Sequence, residues 1–460
     1  MTPPPAVSVA ELMRPAPSPA DSEANRDILA VMNTPGLGYW GLLLFCVVLV
    51  HVAGAVWVYQ VYEGLGVAGY SHPIFWGVYI VTFVFWVGIA HAGTLISAIL
   101  YLFRAKWRNA INRSAEAMTI FAVFTAQLFL GIHVGRIWKA YFILPYPNQR
   151  ALWVNFKSPL LWDTFAISTY TLISLIFLYV GLVPDLAIAR DRTHGWRKAL
   201  YGALALGWQG TSRQWKAHNR TVLHLAGLAT PLVLSVHSVV SWDFAMSIVP
   251  GWHATIFAPY FVAGAIFSGF AMVLTVMIPV RRIFGLEHII TDYHFENMCR
   301  FLLLTSTIVT YAYVIEYFVA WYSGVEAEKT AFWMRAFGAY WLSTWIMIVC
   351  NGVIPQLFWF KKLRTHVPTI FVISTLINVG MWFERYVIII ESLSREYDPA
   401  VWGHYTPQLT ELMIVAGSFS FFSILFLIFL KLFPVIPISE VKELVIHERA
   451  HAGGHPAEAH

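Results

Sequence analysis

The run LGIHVGRIW, residues 130–138, sets His133 and Arg136 three residues apart within an apolar stretch. Asp163 follows in SPLLWDTF, and His237 and Asp243 close a further apolar run as SVHSVVSWDFA. An ionisable side chain inside hydrocarbon is costly, so it is expected to have a partner or a task. A neutral imidazole and carboxylates in an apolar pocket can accept protons. Oxidation of a quinol, which releases two protons with two electrons, calls for such acceptors beside an apolar wall for ring and tail. Arg136 would hold the carboxylate charged and in place. The plainer alternative is an Arg136–Asp163 ion pair that only locks two helices together.

The elements that must position these residues are membrane helices. The 460 residues are 58% hydrophobic and only 12% charged, the composition of an all-α polytopic membrane protein. The formal charge of +5 sits in short loops, so nucleic acid is not an expected partner. Spanning about 30 Å of hydrocarbon takes roughly 20 apolar residues. Ten segments are long enough: 39–61, 73–103, 115–144, 160–183, 219–246, 254–279, 293–322, 332–359, 368–390 and 408–433. The loops after the even-numbered segments hold 15 Lys and Arg, and those after segments 3, 5, 7 and 9 hold four. This imbalance predicts both termini in the cytoplasm. His133, Arg136, Lys139, Tyr141, Asp163, His237 and Asp243 then all fall toward the outer face.

An internal repeat organises the chain. His72 and His253 open segments 2 and 6 at an offset of about 181, and Glu116 and Met118 match Glu296 and Met298 at 180. An even helix number per repeat keeps both copies in one orientation. The expected architecture is two four-helix bundles, 73–246 with the quinol site and 253–390. Peripheral helices would lie at 36–72 and 408–433, with terminal tails at 1–35 and 434–460. At the offset of 180, Tyr313 stands for His133 and Glu316 for Arg136. Asp163 corresponds to the neighbourhood of Arg335. Glu384 and Arg385 lie near the outer end of segment 9, either completing the first site or pairing locally with Glu316 or Arg335.

The remaining polar residues have modest expected roles. His51 and His91 suit interhelical hydrogen bonds. Cys46, Cys299 and Cys350 are isolated within apolar runs and form neither a disulfide framework nor a metal site. No CxxCH or Cys cluster is present, so no covalent haem or iron–sulfur centre is expected. His224 and His237 are 13 apart, but no other segment offers a matching pair for a b-type haem. The terminal His447, His451, His455 and His460 suit a solvated low-complexity tail more than a metal site. The electron acceptor is therefore expected on a partner.

The stretch GIHVGRIWKAYFILPYPNQR, the following SPLLWDTFAISTY and the ten-helix layout resemble the NrfD-like family of polysulfide-reductase membrane subunits. The resemblance is closest to the ActC branch of bacterial alternative complex III. It implies an integral inner-membrane subunit without bound cofactor, taking menaquinol or ubiquinol near the periplasmic side. It also implies a periplasmic iron–sulfur subunit, multihaem cytochrome c subunits and a second related ten-helix subunit as partners, with surrounding lipid and in some assemblies a terminal oxidase. His133 and Asp163 carry over most directly, and Arg136, Asp243, Tyr141 and the Glu384–Arg385 pair less so. If protons cross the bundle, His91, His237, Glu316 and Asp243 are the candidate carriers, with Glu384 beside them. Competing readings are a quinone-reducing anchor of a molybdenum or hydrogenase-type enzyme, a secondary transporter, and an assembly scaffold.

Overall fold

A computed structural model describes residues 26–33, 35–144 and 156–441. Ten helices are long and apolar enough to cross a membrane: α1 Leu37–Glu63, α2 Val78–Leu102, α3 Asn112–His133, α4 Pro159–Arg192, α5 Ser212–Ala245, α6 Phe257–Phe284, α7 Asp292–Tyr322, α8 Trp341–Trp359, α9 Val367–Glu391 and α10 Leu409–Leu432. The chain is an all-α polytopic membrane protein, and no strand forms among the described residues. Local signals set several ends. Pro159 occupies the first turn of α4, where a missing N–H costs nothing. Thr211 and Gln214 form a capping box on α5. Gly285, left-handed at φ 65°, ends α6.

α2 and α6 form the centre. Both are largely buried, whereas α1 leaves most of its apolar surface open. Gly88 of α2 lies against Ser268 and Ala265 of α6, so small residues let the two backbones approach. α2 also packs on α3, where a Cβ on Gly93 would overlap the Ala115 carbonyl. α1 packs along α10, and α10 rests on α3.

Buried charge fastens both ends of the bundle. Where α3 starts, the Arg113 guanidinium donates to Asp185 (3.1 Å), Glu116 (3.3 Å) and the carbonyls of Leu178 and Gly181. Ser439 N and Oγ each donate to Asp185 at 3.1 Å, so the chain after α10 straps α3 to α4. At the opposite end, the His133 end, fully buried Glu411 of α10 accepts from Gly69 N (2.8 Å), Tyr405 OH (2.6 Å) and Gln408 N (2.9 Å).

Four expectations need correction. Segment 3 is not one helix to 144: α3 ends at His133, and a 3-10 turn follows over Ile137–Ile143. Gly135 takes φ 73°, which ends the helix before Arg136. Segment 8 is likewise divided into a short helix Glu326–Phe337 and α8, separated at Gly338. α2 starts at Val78 rather than 73, because Ser71 and Ile74 pair across a tight turn around Pro73. Residues 26–30, read as tail, are helical, and Ile28, Val31 and Met32 are buried. Lys431 and Arg197 hold this piece by donating to the Val31 and Met32 carbonyls. The C-terminal histidines lie outside the described residues.

Candidate functional site

The last residue of α3, the first turn of α4 and the last turn of α5 meet at the His133 end. They enclose a cavity of about 370 Å³ reached by His133, Asp163 and Asp243. Trp76, Ile80, Phe83 and Val84 of α2 and its lead-in, with Leu130, Ile167 and Phe244, make its walls apolar. Asp163 and Asp243 are in side-chain contact with each other. Asp163 is buried, and His133 Nδ1, Asp163 Oδ1 and Asp243 Oδ1 are buried atoms without a hydrogen-bond partner among the described residues. Buried polar atoms are normally satisfied, so three such atoms around one cavity mark a place for a ligand that supplies the missing bonds. The Tyr70 ring meets the His133 imidazole edge-on, with ring centroids 6.5 Å apart.

Three expected site residues lie elsewhere. Arg136 is exposed, sits beyond the break at Gly135 and does not line the cavity. Among the described residues it makes no ion pair with Asp163, which removes the purely locking explanation of that pair. Tyr141 is exposed on the 3-10 turn, whose Ala140 and Ile143 reach the cavity instead. Arg385 faces the other half of the molecule. It is fully buried on α9, pairs with Glu384 at 2.8 Å and lies 4.4 Å above the Phe261 ring of α6. Glu384 also accepts a hydrogen bond from Tyr313 OH, itself held by Asn351 Nδ2 at 3.0 Å. Local pairing is thus what α9 does, but with Tyr313 rather than with Glu316 or Arg335.

The two core histidines lie between these groups. His91 Nδ1 donates to the Val87 carbonyl at 2.5 Å, and its ring stacks on Tyr170 at 4.9 Å. The His237 ring centroid lies 4.6 Å from that of His91 and the ring packs against Phe261, with neither ring nitrogen hydrogen-bonded among the described residues. Glu316 is buried near the same end of α7, within electrostatic reach of Arg335. The Arg113–Asp185 cluster was not foreseen, although Arg113 and Glu116 stand three apart at the start of segment 3.

Ten helices long and apolar enough to cross a membrane define a multi-pass membrane protein, and the cavity between α2, α3, α4 and α5 is its candidate ligand site. The chain belongs to the NrfD polysulphide reductase family, whose pattern matches residues 66–395. It is 25% identical over 448 residues to a putative membrane subunit of dimethyl sulfoxide reductase from Halobacterium salinarum, covering 90% of this chain and 95% of that protein. It is 21% identical to a selenate reductase subunit of Mesobacillus selenatarsenatis, covering 84% and 92%. An Hdr-like menaquinol oxidoreductase integral membrane subunit of Archaeoglobus fulgidus is 20% identical, covering 85% and 92%.

Proposed function

We propose that the cavity of His133, Asp163 and Asp243 is a quinol-oxidation site, and that the chain is the quinol-oxidising subunit of a respiratory complex of the alternative complex III type. The observation that carries this reading is the convergence of three unpartnered buried polar atoms, from three helices, on one apolar cavity. A cavity of about 370 Å³ lies within the range that holds a small organic ring. One quinol hydroxyl donates toward His133 and the other toward the Asp163–Asp243 pair, and the ring lies against Trp76 and Phe244. As quinol becomes quinone, imidazole and carboxylate each take one proton, and two electrons pass to a partner. The family's membrane-subunit role and the name menaquinol oxidoreductase carried by the Archaeoglobus relative support a quinol substrate.

The basic loops gather at the Arg113 end, which supports a cytoplasmic side for that end and both termini, with the chain in a bacterial inner membrane. The cavity then opens on the periplasmic side, beside periplasmic iron–sulfur and cytochrome c subunits that take the electrons. Protons leave there, or travel by His91, His237, Glu384 and Glu316. In the assembled complex, Asp163→Asn and His133→Ala each lower quinol-dependent electron transfer by about 10²-fold or more, while complex yield is maintained. Unchanged turnover in both variants overturns the reading.

A further inference from the structure

A second cavity, of about 500 Å³, lies between α5, α6, α7 and the short helix Glu326–Phe337. Trp242, Ala258, Ile315 and Phe332 are among its walls, and they are mostly apolar. Its polar lining comprises His253, Thr255, Glu328 and Glu316; of these, Glu316 is 9% exposed and its Oε1 is buried without a hydrogen-bond partner among the described residues. The nearby cation is committed elsewhere: Arg335 donates to Ser392 Oγ at 2.5 Å and lies 4.2 Å over the Phe332 ring. A buried carboxyl oxygen aimed into an apolar cavity is one half of a charge-assisted hydrogen bond. The missing half is a donor on a largely apolar molecule.

The internal repeat points to the same class of molecule. Ala320 lines this cavity and corresponds, at the offset of 180 that relates segments 3 and 7, to Ala140 of the first. α5 serves both, turning Asp243 to one and its neighbour Trp242 to the other. What differs is the acceptor set. Tyr313, at the position of His133, donates to Glu384 instead of reaching the cavity. The second cavity can therefore hold a hydroxylated ring; of its other ionisable groups, His253 is exposed and Glu328 accepts from Ser323 Oγ at 3.2 Å, so neither is a buried, unpartnered acceptor like His133.

We propose that this second cavity binds a quinol without oxidising it, the ring against Trp242 and Phe332 and one hydroxyl donating to Glu316 Oε1. The inference rests on reading the first cavity as the quinol site. The test is photolabelling of the assembled complex in native lipid with an azido-quinone, the labelled peptides being mapped by mass spectrometry. Label is expected both on 130–144 with 159–167, for the first cavity, and on 311–322 with 326–337, for the second. Glu316→Gln replaces the charged acceptor and lowers label on the second pair by about tenfold, leaving the first pair unchanged. Ala258→Phe, which fills the cavity without touching Glu316, removes the second label altogether. Label confined to the first pair, or a second label insensitive to both variants, overturns the proposal. So does copurified phospholipid that added quinone does not displace from the second cavity. An unlabelled first pair instead overturns the reading of the first cavity.

Discussion

Asp163 at the start of α4 and Asp243 at the end of α5 touch through their carboxyl groups, and each keeps one buried oxygen unbonded beside a common cavity. On the proposed reading these two residues, 80 positions apart in the chain, form one proton-accepting unit. Groups that act as a unit are strongly non-additive on mutation. Asp163→Asn and Asp243→Asn should each slow quinol oxidation markedly, and the double variant should be only slightly slower than the worse single one. Steady-state rates of the four forms check this; multiplying single-variant losses would show that the two carboxyls act separately.

Arg136 is exposed beyond the end of α3 and contributes nothing to the cavity wall. Its replacement by alanine should change quinol oxidation by less than about threefold, in line with a surface substitution. A loss as deep as that of Asp163→Asn would place Arg136 back in the site.

At the other end of α3, Arg113 has four acceptors on α3 and α4 and is 2% exposed. Removing one partner of a buried ionic cluster costs about 3–5 kcal/mol, because the remaining carboxylates lose their compensation. Arg113→Ala should therefore lower the thermal unfolding midpoint in detergent and the yield of complex. Quinol oxidation per assembled complex should stay near that of the parent, since the cavity is at the opposite end of the bundle.

Glu411 gathers three donors at the His133 end of α10. Glu411→Leu leaves all three unpaired and should cost about 3 kcal/mol or more. Glu411→Gln retains an acceptor oxygen and should recover part of that loss. Equal midpoints for the two variants would show that shape rather than hydrogen bonding sets the effect.

Much of this architecture was legible in the sequence, because each membrane helix must be apolar along its whole length and charges within it stand out. Asp163, Asp243 and His133 could be brought together from helix direction alone. Where the reading failed, the deciding feature was a backbone break or a side-chain direction. Gly135 carried a usable signal, a glycine just past the last helical residue, which would have separated Arg136 from His133. Gly338 divides segment 8 in the same way. No spacing rule shows that Arg385 turns toward Phe261 and Glu384, since that depends on how α9 is rotated against α6. The strap of Ser439 onto Asp185 was hidden for a related reason: it joins positions 254 apart, which hydropathy does not connect.

The central claim is that a quinol ring sits between His133 and the Asp163–Asp243 pair. A structure of the assembled complex with a tight-binding quinone analogue tests it most directly. Ring density is expected against Trp76 and Phe244, with one oxygen within hydrogen-bond distance of His133 and the other of Asp163 or Asp243. A ring bound elsewhere in the chain, with the His133 cavity empty or filled by a lipid chain, would contradict it.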